Sequence, residues 1–454
     1  MRNCIWGVLY LLALSLGGVF AAPFPLKLIS IDPQTGTASW NGSTWSDIVG
    51  KVTRQCLSSA FEMPGQSWSQ NVSAGGITEL NVGNSIDPRS RGQALTAWLH
   101  LKTPGEVWVL VVDHFLPVQI QLKEGGAVKP KTYSLSHGNL VLDHLRAVLV
   151  GAGFVAQSGA LTYTYPKSGS RVHLLTVEVG GFDTSQVVAS IRDTFRTSEI
   201  KQNSKVVVNI SLAMIPCEIQ ENYDYNKTAF SKYQRLYRFN DYLHDLYLVN
   251  PQNPSVTETQ FISSILNPTT VSTNELLHQF VNVLHRSYPK AVVVASSGNY
   301  GLPISTLPAA WPGVVSVGAS DAQGGPAVID GQTWPDMGDV TEVGQWFHLR
   351  TEDSQVGCHR GSPAGCVLTK APVTPGPMGT IQDTSSLSYR GTSFSAPTVT
   401  AYIAMAMLAP APKCVPPANT FSANLFLPAR YKPATSRPAS NQWLPILLKK
   451  YGCP

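Results

Sequence analysis

Four short apolar runs, separated by stretches with helical patterning, constrain the fold of this chain most. They are "VWVLVV" (107–112), "HLLTVEV" (173–179), "KVVVNISLA" (205–213) and "AVVVAS" (291–296). Each is rich in β-branched residues and nearly continuous in its apolar character, which suits a strand buried on both faces. Such strands belong to a parallel sheet covered above and below by helices, joined through helical crossovers. The intervening segments supply those helices. "TSQVVASIRDTF" sets Val187, Val188, Ile191 and Phe195 at helical spacing. "STNELLHQFVNVLHRSY" places Leu276, Leu277, Phe280 and Leu284 on one face, with Ser272 and Glu275 in the pattern of a capping box. The expected fold class is therefore α/β, three layers deep, with a mostly parallel sheet and helices on both faces.

The flanks and the insertions divide the rest of the chain. Residues 1–21 carry an early Arg2, an apolar stretch from Ile5, and Val19 and Ala21 placed for cleavage, the pattern of a secretory signal peptide. An uncleaved anchor is the rival reading, since the apolar stretch lies near the lower length limit for a span. Residues 22–95 form an N-terminal segment, either a propeptide or part of the main domain. The main domain is expected over 96–411, with an insertion near 218–268 that is rich in Tyr and Asn. Residues 412–454 form a Pro-rich tail without periodicity.

Loss of the leader would remove Cys4 and leave Cys56, Cys217, Cys358, Cys366, Cys414 and Cys453, an even set suited to disulfides in an oxidising compartment. Six cysteines allow about fifteen pairings, and the sequence does not choose among them; the short loop Cys358 to Cys366 and the tail pair Cys414 with Cys453 are the simplest candidates. Sequons stand at Asn41, Asn71 and Asn226. The location expected is secreted or periplasmic, with no membrane attachment after cleavage. With a net charge of +5, 13% charged residues and no basic run, nothing in the chain marks a nucleic-acid partner.

Chemistry concentrates at four places. "RGTSFSAPTVTAYIAMAML" (390–408) puts Ser393 at the start of an apolar helix, with Gly391 leaving room beside it and Pro397 expected in the first turn, where a missing N–H costs nothing. An N-cap serine is the plain reading of Ser393; an exposed nucleophile near the positive helix end is the chemical one. Asp113 ends the first strand, and a carboxylate in that position needs a partner. His137 is followed by Gly138 and by a helical pattern of Leu140, Val141, Leu145, Val148 and Leu149. His114 and His144 are rival bases, but His144 lies on the helix body and His114 points away from Asp113 if the strand continues. Asn299, in the turn "ASSGNYG", can offer a side-chain amide to a developing oxyanion.

The order Asp, His, Asn, Ser, each in its local context, resembles the subtilisin-like serine peptidases, in which the triad runs Asp, His, Ser along the chain. "GTSFSAPTVTAYIA" is similar to that family's Gly-Thr-Ser-Met-Ala-x-Pro motif and its helix. "VVVASSGNYG…LPAAWPGVVSVGAS" resembles the oxyanion segment with the following Pro-Gly turn and strand. "VVNISLA" resembles the strand ending in Ser-Leu-Gly beside the substrate cleft. The resemblance spans roughly residues 105–408.

It implies a subtilisin-like fold and peptide hydrolysis through an acyl-enzyme. Ser393 would be the nucleophile, His137 the base, Asp113 the orienting acid and Asn299 the oxyanion donor. It also implies substrate contacts along Ser211, Leu212 and Ala213, and a pocket walled by Ala295, Ser296, Ser297 and Gly298. The implied partners are protein or peptide substrates of a monomer. No cofactor is required by this chemistry; structural calcium occurs in the family, but no metal ligand is identifiable here. Three positions depart from the pattern: His114-Phe115 replace a small residue and glycine, Asn139-Leu140 replace Thr-His, and Ala213 replaces glycine. Those departures keep two other readings open, a catalytically impaired binding protein on the same scaffold and a triad esterase.

Overall fold

The computed structural model describes residues 26–41, 55–58, 88–96, 101–115, 118–123, 130–135, 137–157, 161–179, 184–233, 235, 237, 239–249, 255–267, 275–298, 305–320, 328–329, 332–333, 340–343, 345–348 and 387–408. The chain divides into two compact units, one formed by 1–53 with 216–258 and the other by 54–215 with 259–454.

The larger unit is built on an eight-stranded sheet. From one edge to the other its strands are Val340–Val343, Val314–Ser320, Ala291–Ser296, Val206–Ile210, Glu106–Asp113, Ser170–Glu178, Thr162–Tyr165 and Val155–Ala156. The first six pair in parallel, and the last two join as an antiparallel edge. All four apolar runs become adjacent members of the parallel part.

Alternation along each strand feeds two cores. Val107, Val109 and Val111 face one helical layer, together with Val207, Val292 and Val294. Leu110, Val112, Val206, Val208 and Val293 face the other. On the first face lie the helices His137–Gly151 and Thr392–Leu408; on the second lie Thr184–Thr197 and Leu276–Ser287. The α/β reading with helices on both faces holds.

Local detail differs from the sequence pattern at two helix starts. The helix Leu276–Ser287 is capped by Glu275, whose side chain accepts the His278 N–H; Ser272 lies outside the described residues. Glu275 thus takes the N-cap role, since its carboxylate accepts one orphan donor, the His278 N–H, and favours the positive helix end. The helix Thr392–Leu408 is buried along its entire length, Ser393 included, and Pro397 sits inside it rather than in its first turn. A helix apolar on every side has no solvent face to offer, so the expectation of an exposed Ser393 fails.

The smaller unit joins the N-terminal strands to the expected insertion. Lys27–Ile31 and Ala38–Asn41 pair antiparallel, and helices Cys217–Lys232 and Phe239–Val249 belong with them. The fully buried Asn226 acts as a strand edge: its amide donates to the Leu26 carbonyl and its oxygen accepts the Leu28 N–H. That side chain is therefore unavailable to a glycosyltransferase in the folded unit, whatever its sequon suggests. Trp40, Phe230 and Tyr237 form an aromatic cluster, with Phe230 and Tyr237 stacked at 4.0 Å. Cys217 is disulfide-bonded. Cys358, Cys366, Cys414 and Cys453, the leader and the tail lie outside the described residues, and no described helix is long and apolar enough to cross a membrane.

Candidate active site

Asp113, His137 and Ser393 come from three elements that meet at the carboxyl edge of the parallel strands, where the sheet topology concentrates chemistry. Asp113 is the last residue of its strand and fully buried. Its Oδ1 accepts the Nδ1–H of His137 at 2.6 Å and the backbone N–H of His114 at 2.7 Å. Its Oδ2 is buried with no hydrogen-bond partner among the described residues. A carboxylate only accepts, so His137 carries a proton on Nδ1, and in the neutral form of the ring Nε2 is the nitrogen left to act as a base.

Gly138 lets His137 open its helix where it does. The Gly138 N–H donates to the His114 carbonyl at 2.9 Å. A Cβ at Gly138 would stand 2.9 Å from that carbonyl oxygen and from the Phe115 ring. Only glycine lets the helix start so close to the turn after Asp113. The His137 ring is 3% exposed and lies 5.5 Å from the ring of Phe394, the residue after Ser393.

Ser393 is held by Ser211 in both directions. The Ser393 hydroxyl donates to the Ser211 carbonyl, and the Ser211 hydroxyl donates to the Ser393 carbonyl, each at 2.9 Å. The second bond answers Pro397, which lacks the N–H that would otherwise bond back to residue 393 within the helix. A buried chain continues behind it: Asn209 donates to Ser211 Oγ at 2.9 Å and accepts from Thr400 Oγ1 at 3.0 Å. As the second residue of the helix, Ser393 has a backbone N–H with no intrahelical acceptor, free to serve an oxyanion.

The strand Ala291–Ser296 leads into Ser297 and Gly298. The Ser297 N–H bonds the Val317 carbonyl, its own carbonyl accepts twice from Thr306, and the Gly298 N–H donates to Thr392 Oγ1 at 3.2 Å. Asn299 lies outside the described residues. Ala295, Ser296 and Ser297 are all buried. Of the three residues expected to contact substrate, Ser211 is committed to Ser393, Leu212 packs into the core of the opposite face, and Ala213 begins a short strand to Pro216.

His114 and His144, the rival bases, are engaged elsewhere. His114 Nδ1 faces Glu178 Oε1 at 3.1 Å, and His144 Nε2 meets Thr398 Oγ1 at 2.6 Å in a fully buried pair. Sequence reasoning missed Thr392, Thr398, Thr400, Asn209 and Glu178. Glu178 alone had a legible signal, an acid at the tip of an apolar strand, the same sign that marked Asp113. Among the described residues, no group of three or more His, Cys, Asp or Glu is arranged to hold a metal.

No protein-family model matches the chain. No curated protein matches it either. Among solved structures it is similar to the prenylagaramide maturation protease PagA, at 12% identity and a TM-score of 0.30 over 71% of this chain and 80% of that one. It is also similar to the PatG macrocyclase in complex with peptide, at 12% identity and a TM-score of 0.31 over 71% and 83%. Likenesses this distant leave the chemistry to be read from the site itself.

Proposed function

We propose that this chain is a serine endopeptidase of the subtilisin-like type, exported from the cytoplasm and acting on protein or peptide substrates. The observation that carries the reading is the buried 2.6 Å bond from His137 to Asp113, with Phe394 setting that imidazole beside the first turn of the Ser393 helix. Ser393 attacks the scissile carbonyl as His137 Nε2 takes its proton. The imidazolium, stabilised by Asp113, then gives that proton to the leaving amine. Water attacks the acyl-enzyme by the reverse roles and regenerates the serine. The Ser393 backbone N–H and the Asn299 amide stabilise the oxyanion in both halves. To begin, the Ser393 hydroxyl must leave the Ser211 carbonyl and turn towards His137. An extended substrate would bind through backbone bonds at the 211–213 segment, because the side chains of Ser211 and Leu212 are already used. The reaction needs no cofactor, and the protein acts as a monomer.

A second reading, a catalytically impaired binding protein on this scaffold, is favoured by one observation: the Ser393 hydroxyl is bonded to Ser211 rather than poised on the base. A fluorophosphonate probe separates the two. The peptidase reading expects labelling at Ser393, lost in S393A and H137A, with casein hydrolysed in preference to a short-chain ester. Folded protein that takes no label and cleaves neither substrate favours the binding protein; hydrolysis of the ester alone favours an esterase.

A further inference from the structure

We propose that Glu178 is a positioning residue for the Asp113–His137 pair, an inference that rests on the triad reading above. The parallel register sets Asp113 directly beside Glu178 at the ends of neighbouring strands. Two carboxylates in adjacent positions repel unless donors separate them. Here the donors are the first two backbone N–H groups after Asp113, and they diverge. The His114 N–H goes to Asp113 Oδ1 at 2.7 Å, and the Phe115 N–H goes to Glu178 Oε2 at 2.7 Å.

The other Glu178 oxygen holds the His114 side chain, whose Nδ1 also lies 3.3 Å from the Val179 carbonyl. Two acceptors converge on that nitrogen, so it carries the proton. The Val179 N–H in turn donates to the Asp113 carbonyl at 3.0 Å. Strand and turn are therefore laced together from Glu178 and Val179 on one side.

The same short turn reaches the base. The His114 carbonyl accepts the Gly138 N–H immediately after His137. Residues 114 and 115 thus touch the acid through an N–H and the base through a carbonyl, while Glu178 fixes their outer side. Without Glu178 the turn can rotate, and the His114 N–H that aims Asp113 Oδ1 at His137 rotates with it. The Glu178 side chain is 38% exposed and the His114 side chain 18%, so the clamp closes the site from its solvent side. Glu178 acts through Asp113 and is not itself placed on the reacting atoms.

The test uses the full-length secreted protein and its E178A, E178Q and D113A variants. E178A should lower kcat by about 10- to 100-fold, the size of effect expected from a small misplacement of a reacting group, with KM nearly unchanged. E178Q, whose amide oxygen still accepts the Phe115 N–H, should recover most of that loss. In the D113A background, E178A should cost nothing further, because the residue it positions is gone. An unchanged kcat in E178A, or an equal loss with and without Asp113, overturns the proposal. Should E178A fail to fold, E178D replaces it, being one methylene too short to hold both His114 and Phe115.

A readout independent of turnover is the low-field proton resonance of His137 Nδ1–H, assigned by its disappearance in D113A. It should shift and exchange faster with water in E178A, and an unaltered resonance overturns the proposal even if the wild-type protein proves inactive. Failure of the wild type to label or hydrolyse sinks the peptidase reading alone.

Discussion

Ser211 and Ser393 exchange two hydrogen bonds, the hydroxyl of each donating to the carbonyl of the other at 2.9 Å. Pro397 explains why the exchange is needed. It removes the helical donor for the Ser393 carbonyl, and in a fully buried helix no water is at hand to replace it. S211A should therefore destabilise the protein by about 1–3 kcal/mol, the cost of a buried acceptor left unsatisfied. Adding P397A, which restores a backbone N–H at that turn, should recover part of the loss. Denaturant unfolding of the two single variants and the double variant measures this; strictly additive effects would show that Pro397 and Ser211 do not share the Ser393 carbonyl.

His144 and Thr398 join the helices His137–Gly151 and Thr392–Leu408 through a fully buried 2.6 Å contact. Phe394 is wedged between the rings of His137 and His144, at 5.5 and 6.4 Å. T398V keeps the volume and deletes the hydroxyl, whereas T398S keeps the hydroxyl. Stability should fall by about 1–3 kcal/mol in T398V and less in T398S. kcat should follow the same order while KM holds. Equal behaviour of the two variants would leave the contact a matter of packing.

The architecture was legible because its cause is periodicity. Runs such as 107–112 and 291–296 are apolar on both sides, and a parallel sheet covered by helices buries both faces. The places of Asp113 at a strand end and of His137 and Ser393 at helix starts were legible from the apolar patterns beside them, whereas their proposed roles rested on the family resemblance. What stayed hidden was tertiary. Asn209, Thr392, Thr398 and Thr400 are polar residues inside apolar stretches, and their partners lie far off in sequence, 191 residues away for Thr400 with Asn209. The burial of Ser393 was missed for the same reason: a helix start says nothing about the layer that covers it. Pro397 lies past the first turn rather than within it, enough to turn a harmless residue into one that needs Ser211.

The pH dependence of stability should reflect two half-buried histidines. Burial holds both His285 and His173 below the ordinary histidine value, so each resists protonation in the fold. The unfolded chain binds those protons at about pH 6.5 and below. Below that pH the unfolded state carries more protons, and unfolding free energy falls until the folded-state values are reached. Stability should thus be full above about pH 7 and decline as the pH falls below the unfolded histidine value of about 6.5. H285Q and H173Q should flatten the decline in thermal melts, and a slope unchanged in the double variant would assign it to other groups.

Part of the segment ahead of the first sheet strand is built into the larger unit. The helix Pro88–Thr96 crosses the His137 helix at a contact between backbones: a Cβ on Gly92 would run into the Val148 carbonyl, and one on Gly151 into the Arg89 carbonyl. G92A should cost about 1–3 kcal/mol from overpacking alone, and it should lower activity by displacing the helix that starts with His137. If the chain is exported and processed as proposed, its mature form should accordingly keep residues 88–96. N-terminal sequencing decides this, and a start beyond Thr96 with no fragment retained would refute it.

Asn299 offers the sharpest separation of catalysis from folding. The strand Ala291–Ser296 and the bonds at Ser297 and Gly298 fix the chain up to residue 298, with Gly298 tied to Thr392 beside Ser393. In the proposed mechanism the amide of Asn299 acts on charge that exists only in the transition state, and it is not a member of the Asp113, His137 and Ser393 triad. N299A should lower kcat by about 10² to 10³, the usual worth of one oxyanion donor. KM should change little, because the ground-state carbonyl draws weakly on that donor. The melting temperature of the variant, measured beside its kinetics, separates a lost oxyanion donor from a lost fold. Turnover that survives the substitution would reduce Asn299 to a turn residue and leave the Ser393 N–H to bear the oxyanion with some other donor.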